Sequence, residues 1–350
     1  MKTISSSVPI VRFVGAILAA ALLVTGCSNG REAGEAQASD ISFDNPIVEQ
    51  RADPWIYRTE AGRYYLIATA PEFDRIELRS ADSIQGLGTA EAEVIWSKHE
   101  TGPMGAHIWA PELHRIDGVW YIYFAAGTAE KPWNIRMYVL SNEAENPMTG
   151  EWHEEGRLLT QRDSFSLDAT TFEHGGQRYL IWAQEGPKGE NNSNLYISAM
   201  ASPTELTGPE VLLTQPELPW EVVGYKVNEG PAVLVRNGRV FVTYSASATD
   251  HNYAVGLLWA DADADLLNPA SWHKSPEPVF FTNPEFDRYG PGHNSFTVAE
   301  DGQTDVLIYH ARDYKELQGS PLTDPNRDMR ARVLKWTENG FPEFGQNRGD

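Results

Sequence analysis

One cysteine stands among the 350 residues, at position 27, so no disulfide can form within the chain. Basic residues are also scarce: 28 Lys and Arg against 49 Asp and Glu give a formal net charge of −21. Phosphate backbones require clustered cations, so a nucleic-acid partner is excluded, whereas an acidic surface is compatible with a neutral ligand. Long hydrophobic runs are missing as well. The stretch from Phe13 to Val24, flanked by Lys2 and Arg12, is twelve residues long, which suits a signal-peptide core and is too short to span a bilayer. No Pro/Ser-rich linker interrupts the chain beyond about residue 45, which predicts a single domain. With 41% hydrophobic and 11% aromatic content, that domain has enough apolar material for a substantial core.

The apolar run ends in Val24-Thr25-Gly26-Cys27, which resembles a bacterial lipoprotein cleavage box. The expectation is a signal peptide over residues 1–26, with Cys27 as the lipid-bearing first residue of the mature chain. An ordinary signal peptide cut near the same place, with Cys27 incidental, is the alternative. The small and polar residues of 27–40 read as a flexible tether, and 41–350 as the folded domain. Export follows in either case; the lipid would hold the protein at the bacterial cell envelope.

What the chain has in abundance is repetition. Five times an inner strand leads through a glycine turn into an aromatic-rich strand, with turns at Gly62, Gly118, Gly176, Gly238 and Gly302. The strands that follow, such as Val119-Trp-Tyr-Ile-Tyr-Phe and Gln177-Arg-Tyr-Leu-Ile-Trp, are rich in β-branched and aromatic residues. Nine residues before each turn glycine, once eight, stands a chemically loaded residue: Asp53, Trp109, Asp168, Glu229 and His293. They lie 56, 59, 61 and 64 residues apart. A hairpin-based period of that size predicts an all-β fold, a single five-bladed β-propeller. Segments around Trp96, Trp152 and Trp272 read as outer strands that close one blade before the next begins.

A propeller sets the first strand of every blade against the central channel, so equivalent positions form a ring. Four of the ring residues, taken alone, have an ordinary structural explanation, and Glu229, inside Val227-Asn228-Glu229-Gly230-Pro231, is harder to dismiss. Asp53 precedes Pro54 and could start a turn, Asp168 could cap a strand end, Trp109 could be core, and His293 could be a hydrogen-bonded loop residue. Their common register brings three carboxylates, an indole and an imidazole to one end of a channel. Crowded carboxylates repel, which raises the pKa of at least one and keeps it protonated near neutrality, while another stays ionised and can activate water. That pairing is the machinery of glycoside hydrolysis, and Trp109 offers a face on which a sugar ring can stack.

The motifs Ala52-Asp53-Pro54-Trp55, His107-Ile108-Trp109-Ala110-Pro111-Glu112, Ser166-Leu167-Asp168-Ala169-Thr170, Val227-Asn228-Glu229-Gly230-Pro231 and Gly292-His293-Asn294-Ser295 resemble, in order, those of glycoside hydrolase family 43, whose members are five-bladed propellers. The stretches Pro71–Leu78, Ile135–Leu140 and Tyr244–Tyr253 are most similar to bacterial exo-α-1,5-L-arabinofuranosidases within it. The resemblance implies an inverting hydrolase with Asp53 as general base, Glu229 as general acid and Asp168 orienting Glu229 and tuning its pKa. In such an enzyme base and acid carboxyls stand roughly 6.5 to 9.5 Å apart. It further implies Trp109 as the aromatic platform, Arg312 as a sugar-hydroxyl contact, and His293 beside a Ca or Na ion held largely through water. No cofactor is implied for the chemistry.

Other readings stay open. β-Xylosidases and endo-arabinanases share the same acids, a surface propeller could bind glycans without cleaving them, and a retaining fructan-active propeller would hold its carboxyls about 5 to 5.5 Å apart. The segments Glu130 to Arg136 and Asp313 to Arg332 are expected as long interblade connections that wall off one end of the cleft, the form an exo-acting pocket takes.

Overall fold

A computed structural model describes residues 41–345. The expected signal peptide, Cys27 and the tether lie outside these residues, and nothing structural bears on them. Among the described residues no helix is long and apolar enough to cross a membrane.

The chain forms a five-bladed β-propeller of antiparallel sheets. Blade one comprises β1 (Ala52–Arg58), β2 (Tyr64–Thr69), β3 (Arg75–Ala81) and β4 (Glu93–Ser97); blade two β5 (Ala106–Ile116), β6 (Val119–Thr128), β7 (Lys131–Asn142) and β8 (His153–Arg157). Blade three contains β9 (Ser166–His174), β10 (Gln177–Gln184) and β11 (Asn194–Ser202), with β12 (Glu205–Leu206) and β13 (Val211–Thr214) both pairing with β11. Blade four runs β14 (Asn228–Arg236), β15 (Arg239–Ala246), β16 (Ala254–Asp261) and β17 (His273–Lys274). Blade five has β18 (Tyr289–Val298), β19 (Asp305–Arg312) and β20 (Asp328–Val333); a short ribbon of β21 (Lys335–Trp336) and β22 (Pro342–Glu343) follows.

All five turn glycines join the first two strands of their blades, and all have φ between 72° and 86°, a region costly for any residue with a Cβ. This is why glycine marks the repeat so regularly.

Blade five borrows its outermost pairing from the start of the domain. Met329 on β20 donates its amide to the Val48 carbonyl at 2.8 Å, and Ile47 donates to the Met329 carbonyl at 2.9 Å. Phe43, Ile47 and Val48 are buried with Ile56, Leu66, Val306 and Ile308, so one apolar cluster seals blades one and five. Similar clusters fill the other interblade spaces. Ile67, Leu78, Leu113 and Trp120 join blades one and two, for example, and Leu257, Phe280, Leu307 and Tyr309 join four and five.

The innermost strand of each blade has an irregularity at its channel end. Register breaks fall around Asp53, Trp109, Asp168, Glu229 and His293. Left-handed backbone occurs there at Asp53, Ala110, Asp168, Gly230 and His293. A bulge of this kind re-aims a side chain that regular alternation would bury between blades. In blades two and four the left-handed residue, Ala110 or Gly230, directly follows the loaded one, whereas in the other three blades the loaded residue is itself left-handed.

The two segments expected between blades lie inside them instead. Residues 130–136 form the hairpin tip of β6 and β7 and the start of β7, and 313–332 connect β19 to β20 and enter β20. Turns within blades, rather than crossovers between them, therefore extend over the channel mouth.

Candidate active site

A cavity of about 770 Å³ opens at this end of the channel, and its lining includes Asp53, Trp109, Asp168, Glu229 and His293. All five ring residues read from the sequence are thus brought to one space.

Asp53 is the most heavily anchored. Its Oδ2 accepts a hydrogen bond from the Thr69 hydroxyl at 2.6 Å, while Oδ1 lies 3.2 Å from His293 Nδ1, 3.4 Å from Arg327 Nη1 and 3.5 Å from His310 Nδ1. Its amide donates to His310 Nδ1 at 3.0 Å, fixing the strained backbone at φ 54°. Burial opposes ionisation of this carboxyl, but His293, Arg327, His310 and the Thr69 hydroxyl outweigh it and hold its pKa well below the usual carboxylate range. Burial lowers the pKa of both imidazoles while the Asp53 charge pulls it up, and Arg327 Nη1 lies beside the same carboxylate oxygen.

Glu229 has the opposite environment. Burial, with the Asp53 charge adding to it, pushes its pKa up to about 7 against the Tyr253 hydrogen bond and Arg327. The Tyr253 hydroxyl donates to Glu229 Oε1 at 2.8 Å. Asp168 is raised well above the ordinary carboxylate value by burial and by the charges of Glu229 and Asp53. Its Oδ2 accepts the Gly230 amide at 2.9 Å, one residue beyond Glu229, and so braces the strand that carries the acid. Gly230 has φ 54°, and a Cβ there would sit 2.9 Å from the His293 ring, so glycine is required both by the turn and by the approach of the imidazole.

Trp109 is half-buried at the cavity wall. His107 stacks on it with ring centroids 4.4 Å apart, and Phe73 meets it edge-on at 5.7 Å. Trp133, on the β6/β7 hairpin, completes this aromatic wall 5.9 Å from Trp109 while remaining 61% exposed.

Arg312 is placed differently from the expectation. It is only 2% exposed and is not among the cavity-lining residues. Its Nη1 donates to the Thr249 carbonyl at 2.9 Å, and its Nε lies 3.5 Å from Asp324 Oδ1. Asp324 also accepts from the Tyr314 hydroxyl and the amides of Gln318 and Asn326, so this pair organises the long β19/β20 connection. That connection brings Pro321, Leu322 and Arg327 to the cavity. Of these two arginines it is Arg327 that lines the cavity, with its Nη1 3.4 Å from Asp53 Oδ1.

The ion expected beside His293 finds no ready set of ligands. Among the described residues no group of three or more His, Cys, Asp or Glu side chains is arranged to hold a metal, and His293 Nδ1 is directed at the Asp53 carboxylate. These residues do not fit a directly ligated ion, and no chemical step is routed through one.

The geometry yields one carboxylate kept ionised and another kept protonated across a cavity with an aromatic wall, the requirement for acid–base cleavage of a glycosidic bond. Comparison with known proteins agrees. An extracellular exo-α-(1→5)-L-arabinofuranosidase of Streptomyces avermitilis is 54% identical over 335 residues, covering 96% of this chain and 69% of that protein. One of the same description from Streptomyces chartreusis is 59% identical over 279 residues, 80% of this chain and 85% of its own. The crystal structure of an α-L-arabinofuranosidase from Lactobacillus brevis superposes with a TM-score of 0.85 at 48% identity, covering 88% of this chain and 98% of that one. The family model for glycosyl hydrolases family 43 matches residues 43–342, the whole propeller from the strand-closing segment to the last ribbon, and the chain belongs to that family.

Proposed function

We propose that this enzyme is an exo-acting, inverting α-L-arabinofuranosidase that releases L-arabinofuranose from α-1,5-linked arabinan and arabino-oligosaccharides. The observation that carries the mechanism is the placement in one cavity of Asp53, held by Thr69 and Arg327, and Glu229, held by Tyr253. The arabinofuranosidase assignment draws on the activity named for the similar Streptomyces proteins.

In this reading Asp53 takes a proton from water as the oxygen attacks the anomeric carbon. Glu229 gives its proton to the departing glycosidic oxygen, and the bond to the leaving sugar breaks. Asp168 orients Glu229 by accepting the Gly230 amide on its Oδ2, which braces the strand that carries the acid. Arg327 and the Thr69 hydroxyl hold the base ionised; the aromatic wall of Trp109 and Trp133 receives sugar faces. The chemistry is acid–base hydrolysis and requires no cofactor.

Incubation with linear arabinan, arabinoxylan and xylo-oligosaccharides tests the assignment. Arabinose as the sole early product from arabinan is expected. Xylose release would place the enzyme with β-xylosidases, and early oligomeric products would make it an endo-arabinanase. Fresh product examined by NMR should be the β-anomer; the α-anomer would show retention.

Export and lipid attachment at Cys27 belong to the same proposal, motivated by Val24-Thr25-Gly26-Cys27 after a short apolar run and by the extracellular relatives. Cys27→Ser should release the protein from membranes and abolish lipid labelling; labelling that persists would refute it.

A further inference from the structure

Tyr253 lies outside the ring of five, in the loop before β16, yet its side chain reaches the acid. It is 1% exposed and its hydroxyl donates to Glu229 Oε1 at 2.8 Å. Its ring is stacked almost parallel on His310, with centroids 5.8 Å apart and planes at 5°. His310 in turn accepts the Asp53 amide on Nδ1, which fixes its remaining proton on Nε2. One pair of stacked rings therefore braces the acid on one side and the base on the other.

The backbone of β18 is shaped to admit this ring. A Cβ on Gly292 would lie 2.4 Å from Tyr253 Cε1, and one on Gly290 would lie 3.5 Å from Tyr253 Cβ. Two glycines flank Pro291 immediately before His293, and Gly292 has no room for even a methyl group.

We infer that Tyr253 is the positioning residue of the general acid: its hydroxyl claims Oε1 of Glu229 and thereby directs the transferable proton to Oε2, facing the leaving oxygen. When that proton moves, the Oε2–H bond breaks, an O–H bond forms on the departing sugar, and the resulting carboxylate keeps the Tyr253 hydrogen bond. A hydrogen bond to the ionised form is stronger than one to the neutral form, so Tyr253 eases the transfer. The charged and titratable groups around Glu229 are Asp53 on β1, Asp168 on β9, His293 on β18 and Arg327 on the β19/β20 connection, besides Tyr253 itself.

This inference rests on the proposed glycosidase activity and has its own test. Tyr253→Phe keeps the ring and deletes the hydroxyl; kcat and kcat/KM are measured against pH on arabinotriose and on 4-nitrophenyl α-L-arabinofuranoside, whose leaving group departs without a proton. Arabinotriose turnover should fall roughly tenfold, turnover of the nitrophenyl substrate should change by less than about twofold, and the alkaline limb on arabinotriose should move up by about one pH unit. Equal losses on both substrates, an unmoved limb, or wild-type behaviour would each overturn it. If Tyr253→Phe does not fold, Gly292→Ala, which displaces the ring but retains the hydroxyl, must show the same leaving-group-dependent loss, and an equal loss on both substrates overturns the inference. Wild-type enzyme inactive on both arabinosides would instead refute the assigned activity, which separates the two failures.

Discussion

The hydroxyl of Thr69 donates to Asp53 Oδ2 at 2.6 Å and at the same time accepts the amide of Ala110 from the neighbouring blade at 2.7 Å. Because its lone pair is engaged by Ala110, its proton is free to be directed at the base. Thr69→Val removes both bonds, leaves the buried Ala110 amide unpartnered at a cost of about 1–3 kcal/mol in stability, and raises the pKa of Asp53. The acid limb of kcat/KM should therefore shift to higher pH, with a roughly tenfold loss at the optimum. Thr69→Ser should restore most of it. Urea unfolding together with a pH–rate profile checks both parts.

Asp53→Asn and Glu229→Gln should each lower kcat by roughly a hundredfold or more while far-UV circular dichroism is unchanged. The pH profile of the wild type follows from the two carboxyls. Glu229 must be protonated, so kcat/KM should decline as pH rises through about 7. Asp53 must be ionised, and since its pKa is strongly depressed, the acid limb should lie far below neutrality. A decline centred several pH units higher would assign the alkaline limb to another group.

Arg327 and Arg312 should separate cleanly on substitution. Arg327→Ala removes the cation beside Asp53 and also one that favours the ionised forms of Asp168 and Glu229. Both limbs of the pH profile should move upward. Arg312→Ala leaves Asp324 buried without its guanidinium and should cost about 3–5 kcal/mol in unfolding free energy, with the limbs unmoved in whatever fraction remains folded.

Trp133 tests the aromatic wall. Its hairpin tip is held by the Gly102 amide, which donates to Glu130 at 3.0 Å, and by the Ala129 amide, which donates to the Gly102 carbonyl at 2.9 Å. The exposed indole is thus presented in advance of substrate. Trp133→Ala should raise KM for arabinotriose and longer substrates roughly two- to tenfold, the worth of one stacking contact of about 0.5–1.5 kcal/mol. Inhibition by free arabinose should stay as in the wild type. Equal weakening of both would place Trp133 against the cleaved sugar instead.

The ring of five was legible because the constraint that creates it is local. A hairpin needs its left-handed glycine, and the inner strand needs its loaded residue at a fixed distance from that turn, so Gly62 through Gly302 mark Asp53 through His293. Arg327 had no such marker. It sits in an irregular connection whose shape depends on Asp324 and Tyr314, and the arginine nearer the end of the strand, Arg312, turns inward to hold that loop. Thr69 and Tyr253 were hidden for a related reason. Thr69 sits on the second strand of its hairpin and Tyr253 in a loop before β16, so neither falls at the repeated offset from a turn glycine, although Tyr253 does close the Tyr244–Tyr253 stretch that signalled the arabinofuranosidase resemblance.

The pairing of Val48 with Met329 has a consequence for the time course of folding. The two partners are separated by nearly the whole propeller, so the last blade cannot be completed until almost all of the chain has left the ribosome. Contacts of such long sequence separation slow folding, because loop closure must precede the stabilisation that they bring. Earlier blades can pair within themselves, but the ring locks only once both ends of the propeller are present.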